Sequence, residues 1–385
     1  MKPLDFYFGK EQTYIKHFIF ERYLEEVAIK IGMRYGEFVL VDGFSGPWRS
    51  AGQGFDDTSF MIAVEQLRRA QNIVRSKNSK FKVRCLFIEK EQKAYEDLSR
   101  ALEGQKHIEA ETVNGPFEEN IENIRSFVGN SFLFLFVDPT SWQGFGLAEM
   151  KPVMKLRGEI LINFMYDHIN RFIEAKDPAI ALQMNKLMGR DDWRIEFERK
   201  MALGVGREEA ILETYKEQLQ NIGGYKFVKS IRVMKPLFDR SYFHLIYGTQ
   251  ALPGIEAFSR VEKKAAEEQN LVRGRIKDIE KLNKTNQVPM FASDEIPIRQ
   301  KWFDIERGSA LMRAEDIFQQ ILKTKKSILF DKILGRLLQL PLVWDADVKD
   351  LIRRYEANGK VVVDGKKPGQ RVPKYGNKIV WTSQS

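Results

Sequence analysis

Phe132-Leu133-Phe134-Leu135-Phe136-Val137 contains no polar residue and is closed by Asp138-Pro139. A six-residue apolar run of this kind is strand-length and fits a central strand covered on both faces. It therefore calls for a mainly parallel sheet with helices on each side. Two other runs have the same form, an apolar strand ending in an acid. Glu37–Val41 leads into Asp42, and Val83–Ile88 leads into Glu89. In open parallel sheets, ligands bind beyond the carboxyl ends of the strands, where these acids stand.

The first run continues as Asp42-Gly43-Phe44-Ser45-Gly46-Pro47-Trp48. A strand feeding a turn with two glycines reads as a loop drawn close over a small ligand, a cradle for the amino-acid end of S-adenosylmethionine. It reads equally as an ordinary strand-to-helix turn. Glu89, at the tip of the second strand, is placed to hold both ribose hydroxyls of a nucleoside, or is a surface acid. A third strand near His107–Val113 ends in Asn114-Gly115-Pro116-Phe117, where a doubly wound sheet meets an adenine; Phe117 fits the core as well. Asp138 needs a donor if it is buried, or else it caps the next helix.

Around these strands the helices are amphipathic. Residues 13–31 put Ile15, Phe18, Ile19 and Tyr23 on one face, with Thr13 as N-cap, Gly32 as stop, and Lys16 and His17 beside the face as solvated residues. Thr58-Ser59 caps a helix through Leu67. After a fifth strand, Glu159–Phe164, charged helical text fills about 170–220 and reads as an insertion. Tyr225–Val233 and Tyr242–Tyr247 then form an antiparallel hairpin. Five parallel strands closed by a hairpin make the methyltransferase variant of the doubly wound sheet. The expected domains are 1–262, this α/β domain; 263–314, a helical linker with a loop at Asn283–Pro289; and 315–385, a winged helix. In the last, Ser327–Gln339 and Asp345–Asn358 read as helices, Gly359 as a left-handed stop, and Val361–Val363 with Ile379–Trp381 as a basic hairpin.

Charge singles out that hairpin. Of the chain's net +9, residues 1–315 carry only +2, because residues 316–385 hold 14 Lys+Arg against 7 Asp+Glu. Lys366, Lys367, Arg371 and Lys374 sit in its loop and are candidates to meet nucleic-acid phosphates, DNA above all; a solvated or protein-docking wing is the competing reading. A single cysteine, Cys85, excludes an internal disulfide and a cysteine metal cluster. The four histidines, His17, His107, His168 and His244, have no metal-ligand spacing. With no membrane-length apolar run and no signal-peptide core, a cytoplasmic protein is expected.

Several of these motifs, in this order, resemble the three-Cys-motif partner family: Y-I-K-H-F-I-F-E-R-Y-L at 14–24, D-G-F-S-G-P-W at 42–48, F-I-E-K at 87–90, F-V-D-P at 136–139, E-I-L-I-N-F at 159–164, and Phe243–Gly254. The resemblance covers about the first 260 residues and extends to the C-terminal winged helix. It implies a fold of the S-adenosylmethionine-dependent methyltransferase type, and a partner of iron–sulfur, radical-enzyme type that carries the three cysteines. Trp48 departs from the small residue usual there. Thr140-Ser141-Trp142 replaces the family's aromatic-glycine pair, and neither version is the D-P-P-aromatic signature of amino-group methyltransferases.

The chemistry expected is methyl transfer to nucleic acid. Asp42, Gly43, Phe44 and Gly46 would hold the methionine end, Glu89 the ribose, and Asn114 and Phe117 the adenine. Asp138 would accept a hydrogen bond from the substrate amine or the nucleobase edge, with the Pro139 carbonyl assisting, and Trp142 would stack on an extruded base. An activated sulfonium donor demands positioning more than a nucleophile or a metal. The rival is a non-catalytic nucleic-acid-binding scaffold that delivers the iron–sulfur partner. A nicotinamide-dependent dehydrogenase is disfavoured, because the turn lacks G-x-G-x-x-G.

Overall fold

A computed structural model of the chain describes residues 2–46, 55, 57–105, 108–285 and 301–382. Pro47, Trp48, His107 and residues 286–289 of the expected loop lie outside the described residues. The chain forms two compact units, the first of residues 1–235 and 240–250, the second of 236–239 and 251–385.

The first unit opens with a short turn, Leu4–Tyr7, and helix α1 (Glu11–Gly32). It continues through β1 (Glu37–Asp42), α2 (Ser59–Arg75), β2 (Lys82–Glu89), α3 (Gln92–Leu102), β3 (Glu109–Asn114), α4 (Ile121–Val128), β4 (Phe132–Val137), α5 (Leu147–Met154) and β5 (Gly158–Phe164). The charged text that follows is helical: α6 (Tyr166–Phe172), α7 (Pro178–Met188), α8 (Trp193–Ala202) and α9 (Arg207–Gly223). The hairpin β6 (Phe227–Met234) and β7 (Ser241–Thr249) completes a seven-stranded sheet of order β3-β2-β1-β4-β5-β7-β6. Its first five strands are parallel and β7 runs antiparallel to both β5 and β6, the methyltransferase-like arrangement expected from the strand pattern.

Burial explains the order. Every residue of β4 and β5 is buried, so these strands take the centre, whereas β3 alternates half-buried and exposed residues and takes an edge. On one face Val39, Leu133, Leu135 and Ile162 pack under α4, α5 and α9. On the other, α1 lays Phe20 flat on Phe136 at 4.3 Å. Tyr23 of α1 donates to Glu159 Oε2 at 2.7 Å, and Thr249 donates to Oε1 at 2.9 Å, so this buried carboxylate ties α1 to β5 and β7. Thr58 caps α2 as expected, accepting from the Met61 amide. Thr13 does not cap α1, which starts two residues earlier and has Lys10 at its cap.

The second unit contains α10 (Leu252–Thr285), α11 (Lys301–Lys325), β8 (Ser327–Leu329), α12 (Phe330–Leu337), α13 (Asp345–Ala357), β9 (Val361–Asp364) and β10 (Lys378–Trp381). The expected boundary at 262 falls inside α10. Glu262 is buried there and accepts from the Leu342 amide at 3.0 Å and from Trp344 Nε1 at 3.1 Å. Arg307 lies 3.8 Å over the Trp344 ring and pairs with Asp347. Ser327–Leu329 forms a strand rather than the start of a helix, pairing with β10 in a sheet of order β8-β10-β9. Gly359 has φ +66, the left-handed stop expected after α13. No helix among the described residues is long and apolar enough to cross a membrane.

Candidate functional site

Two adjoining cavities open at the carboxyl ends of β1, β2, β4 and β5, both within the first unit. The smaller, about 250 Å³, is lined by the β1 loop, the ends of β2 and β3, and the loop after β4. The larger, about 370 Å³, lies between the β1 and β4 ends, α1, the Leu4–Tyr7 turn and the start of β7. Phe44, Pro139 and Thr140 line both and form the partition.

The β1 loop is held by its backbone. Gly43 donates to the Phe136 carbonyl and Ser45 to the Ile88 carbonyl, which pins the turn across β4 and β2. Glycine at 43 is required by a close approach: a Cβ there would stand 2.6 Å from Phe117 Cδ2. Phe117 in turn lies 5.6 Å from the Phe44 ring. The wall of the smaller cavity is thus a glycine with two aromatic rings packed at a tilt beside it. Glu89 is 4% exposed at the same cavity, with Oε1 receiving the Glu91 amide at 2.7 Å; burial pushes its carboxyl above the ordinary range.

The larger cavity has a polar floor. Asp138 receives Lys16 Nζ on Oδ2 at 2.5 Å and Asn163 Nδ2 on Oδ1 at 2.7 Å. Asn163 can offer only its NH₂ to a carboxylate, so this pairing fixes the amide orientation. Lys16 makes no other contact to a partner among the described residues and keeps two of its three N–H groups for the cavity it lines. His17 lies beside it. Burial, and secondarily the Lys16 charge, hold its imidazole well below 6.5, and the Tyr7 hydroxyl stands 3.0 Å from its Nδ1. Phe6, Phe44, Tyr242 and Phe243 supply aromatic walls.

Of the residues expected from sequence, Gly43, Phe44, Gly46, Glu89, Phe117, Asp138 and Pro139 line these cavities. Three do not. Asp42 is fully buried and turned onto its own loop, accepting from the Phe44 amide at 3.0 Å and the Ser59 hydroxyl at 3.4 Å. Burial, and secondarily the charge of Asp138, push its carboxyl up to about 7. Asn114 is exposed and spends its amide on the Glu89 and Lys90 carbonyls. Trp142 is buried in the core against Phe172, at 5.5 Å, and faces neither cavity. Conversely, Lys16 and His17, read from sequence as solvated, are cavity residues, and Asn163 drew no notice. The Lys-His pair on a helix ahead of the first strand was the available signal for the first two.

In the hairpin loop of the second unit, Lys366 is held by Glu356 at 2.5 Å. Among the described residues Lys367, Arg371 and Lys374 are exposed and make no ion pair. Gln370 and Asn377 order the loop through the Val372 carbonyl and the Lys374 amide.

No protein-family model and no curated protein matches the chain. Solved structures do. The cofactor-bound Rv0187 protein from MTB is 11% identical over 60% of this chain and 79% of its own, with a TM-score of 0.32. Loganic acid methyltransferase with SAH is 12% identical over 75% and 92%, with a TM-score of 0.30. An O-methyltransferase family protein from Burkholderia thailandensis is 11% identical over 59% and 56%, with a TM-score of 0.27. These superpositions are loose, and the architecture rests on the chain's own strand order.

Proposed function

We propose that the first unit binds S-adenosylmethionine and transfers its methyl group to an acceptor presented by nucleic acid. The observation that carries this reading is the partition: one cavity suited to a nucleoside shares Phe44 and Pro139 with a second, polar-floored cavity suited to an acceptor. Glu89 would hold the ribose, and Phe117, packed close on Gly43, the adenine. Gly43 fits that role because its missing Cβ is what lets Phe117 close the wall. When bound, the cofactor supplies a methyl group already activated on a sulfonium, so the residues have chiefly to position and desolvate. Lys16 and Asn163 hold the Asp138 carboxylate rigid at the acceptor side.

Nucleic acid enters through the second unit. The element order helix α11, strand β8, helices α12 and α13, then the hairpin β9–β10 supports reading this unit as a winged helix. In this reading Lys367, Arg371 and Lys374 of the wing meet phosphates. One observation favours a second reading. On α13, Lys349 pairs with Asp345, Arg353 with Asp350, and Arg354 with Glu315, so the helix that would enter a groove is charge-balanced. Such a face suits protein docking, and with it the scaffold role beside an iron–sulfur three-Cys-motif partner. Either role belongs to the cytoplasm.

Calorimetry with S-adenosylhomocysteine tests the central claim. Binding should be measurable for the full chain and weakened by about 1–3 kcal/mol in Glu89→Ala, the usual worth of a charged hydrogen bond. No heat and no thermal shift at millimolar ligand would remove the methyltransferase reading and leave the scaffold.

A further inference from the structure

The acceptor atom can be narrowed from the floor of the larger cavity. We propose that the Lys16–Asp138 pair selects a hydroxyl oxygen, and that Lys16 is the residue that binds it. This rests on the methyltransferase reading above.

The floor presents a cation and a carboxylate in direct contact, Lys16 Nζ to Asp138 Oδ2 at 2.5 Å, with Asn163 on the other carboxylate oxygen. Lys16 is a donor with no acceptor capacity, and Asp138, having about four lone-pair sites and two neighbours, still accepts. The complementary ligand group is one that accepts and donates at the same atom. A hydroxyl does so: one lone pair takes an N–H from Lys16, the proton points to Asp138, and the second lone pair remains for the methyl group. An amine does not. A charged amine is repelled by Lys16, and a neutral one has a single lone pair, which cannot both accept from Lys16 and attack. The other charged residues lining the cavity, Lys10 and Asp57, have partners of their own.

The transfer balances without a further reactant. The oxygen–methyl bond forms as the methyl–sulfur bond breaks, and the departing pair stays on sulfur, turning the sulfonium into a neutral thioether. The hydroxyl proton passes to Asp138 and from there to solvent. Lys16 keeps an N–H on the oxygen as charge builds on it. The aromatic walls, Phe44, Tyr242 and Phe243 with Phe6 half-exposed at the rim, fit an acceptor carried on or beside a flat ring.

The test is binding, since the natural acceptor is unidentified. Benzyl alcohol and benzylamine, alike in size, are titrated by ligand-observed NMR into the full chain saturated with S-adenosylhomocysteine. The alcohol should bind at least five-fold more tightly than the amine. Lys16→Met should weaken the alcohol at least ten-fold while S-adenosylhomocysteine affinity stays within three-fold. If the Met variant fails to fold by circular dichroism, Lys16→Gln, which keeps an N–H toward Asp138 without the charge, takes its place with the same expectation. Equal or tighter binding of benzylamine, no binding of the alcohol at 20 mM, or an alcohol affinity indifferent to Lys16 would overturn the proposal. Loss of S-adenosylhomocysteine binding by the wild-type chain is the separate outcome that ends the methyltransferase reading itself.

Discussion

Replacing Asp42 by Asn should make the chain more stable, and more so the higher the pH. Asp42 is fully buried at the end of β1, its carboxyl raised from an ordinary 3.8 to about 7 by burial, with the charge of Asp138 adding to it. Below pH 3.8 the group is protonated in both the folded and unfolded chain and contributes no pH dependence. Between 3.8 and about 7 the unfolded chain has released the proton and the fold still keeps it, so stability falls as pH rises. Above about 7 the fold carries the whole cost of an ionised buried carboxylate. At about 1.4 kcal/mol for each unit of pKa, that cost reaches ~4 kcal/mol. Asn keeps an oxygen for the Phe44 amide and an NH₂ for the Ser59 hydroxyl, but cannot ionise. Urea unfolding followed by circular dichroism at pH 5.5, 7.0 and 8.5 reads the difference. The Asn variant should lie about 2 kcal/mol above wild type at 5.5, where the unfolded chain has already released the proton over about 1.7 pH units, and about 4 kcal/mol above it at 8.5. A difference that stays constant across the three pH values would show that the fold does not raise the Asp42 carboxyl, and the electrostatic account of the β1 turn would be wrong.

Three further outcomes follow from the geometry. Gly43→Ala forces Phe117 to move and should cost about 1–3 kcal/mol of stability, with a matching drop in S-adenosylhomocysteine affinity by calorimetry. Trp142→Ala should destabilise the first unit by about 3–5 kcal/mol, read as a shifted denaturation midpoint; unchanged stability would return Trp142 to a surface, base-stacking role. Substituting Lys367, Arg371 and Lys374 together with Ser should flatten the log–log salt dependence of duplex binding by up to about 2.7, at about 0.9 per phosphate contact, with stability preserved; a filter-binding titration that shows the same slope assigns the wing to protein docking.

What was legible in the sequence were features set by one segment alone. β4 could be placed because six apolar residues in a row suit only a strand covered twice, and Gly359 because a left-handed stop has few candidates. The acids at strand ends were found for the same reason, although their roles divided. Glu89 and Asp138 face cavities, while Asp42 turns inward onto the Phe44 amide of its own loop and the Ser59 hydroxyl at the start of α2. Ser327–Leu329 was missed because three residues carry too little periodicity to distinguish a strand from a helix start. The site's decisive pair could not be read at all: Lys16 and Asp138 stand 122 residues apart, and nothing local to α1 says which of its flanks faces β4. Trp142 and Asn114 failed oppositely, each plausible by position and each consumed by neighbours, a core ring in one case and two carbonyls in the other.

The lining of the two cavities also dates them during synthesis. Every residue around the smaller cavity lies between Gly43 and Gly144, whereas the larger cavity draws on residues from Phe6 to Phe243. As a chain leaves the ribosome amino end first, the smaller cavity has all its parts once Gly144 has emerged. Lys16 is made before any of them, yet waits for Asp138 and Asn163, and its cavity for Tyr242 and Phe243. A nascent chain halted between those points would hold all the parts of the smaller cavity and only some of those of the larger.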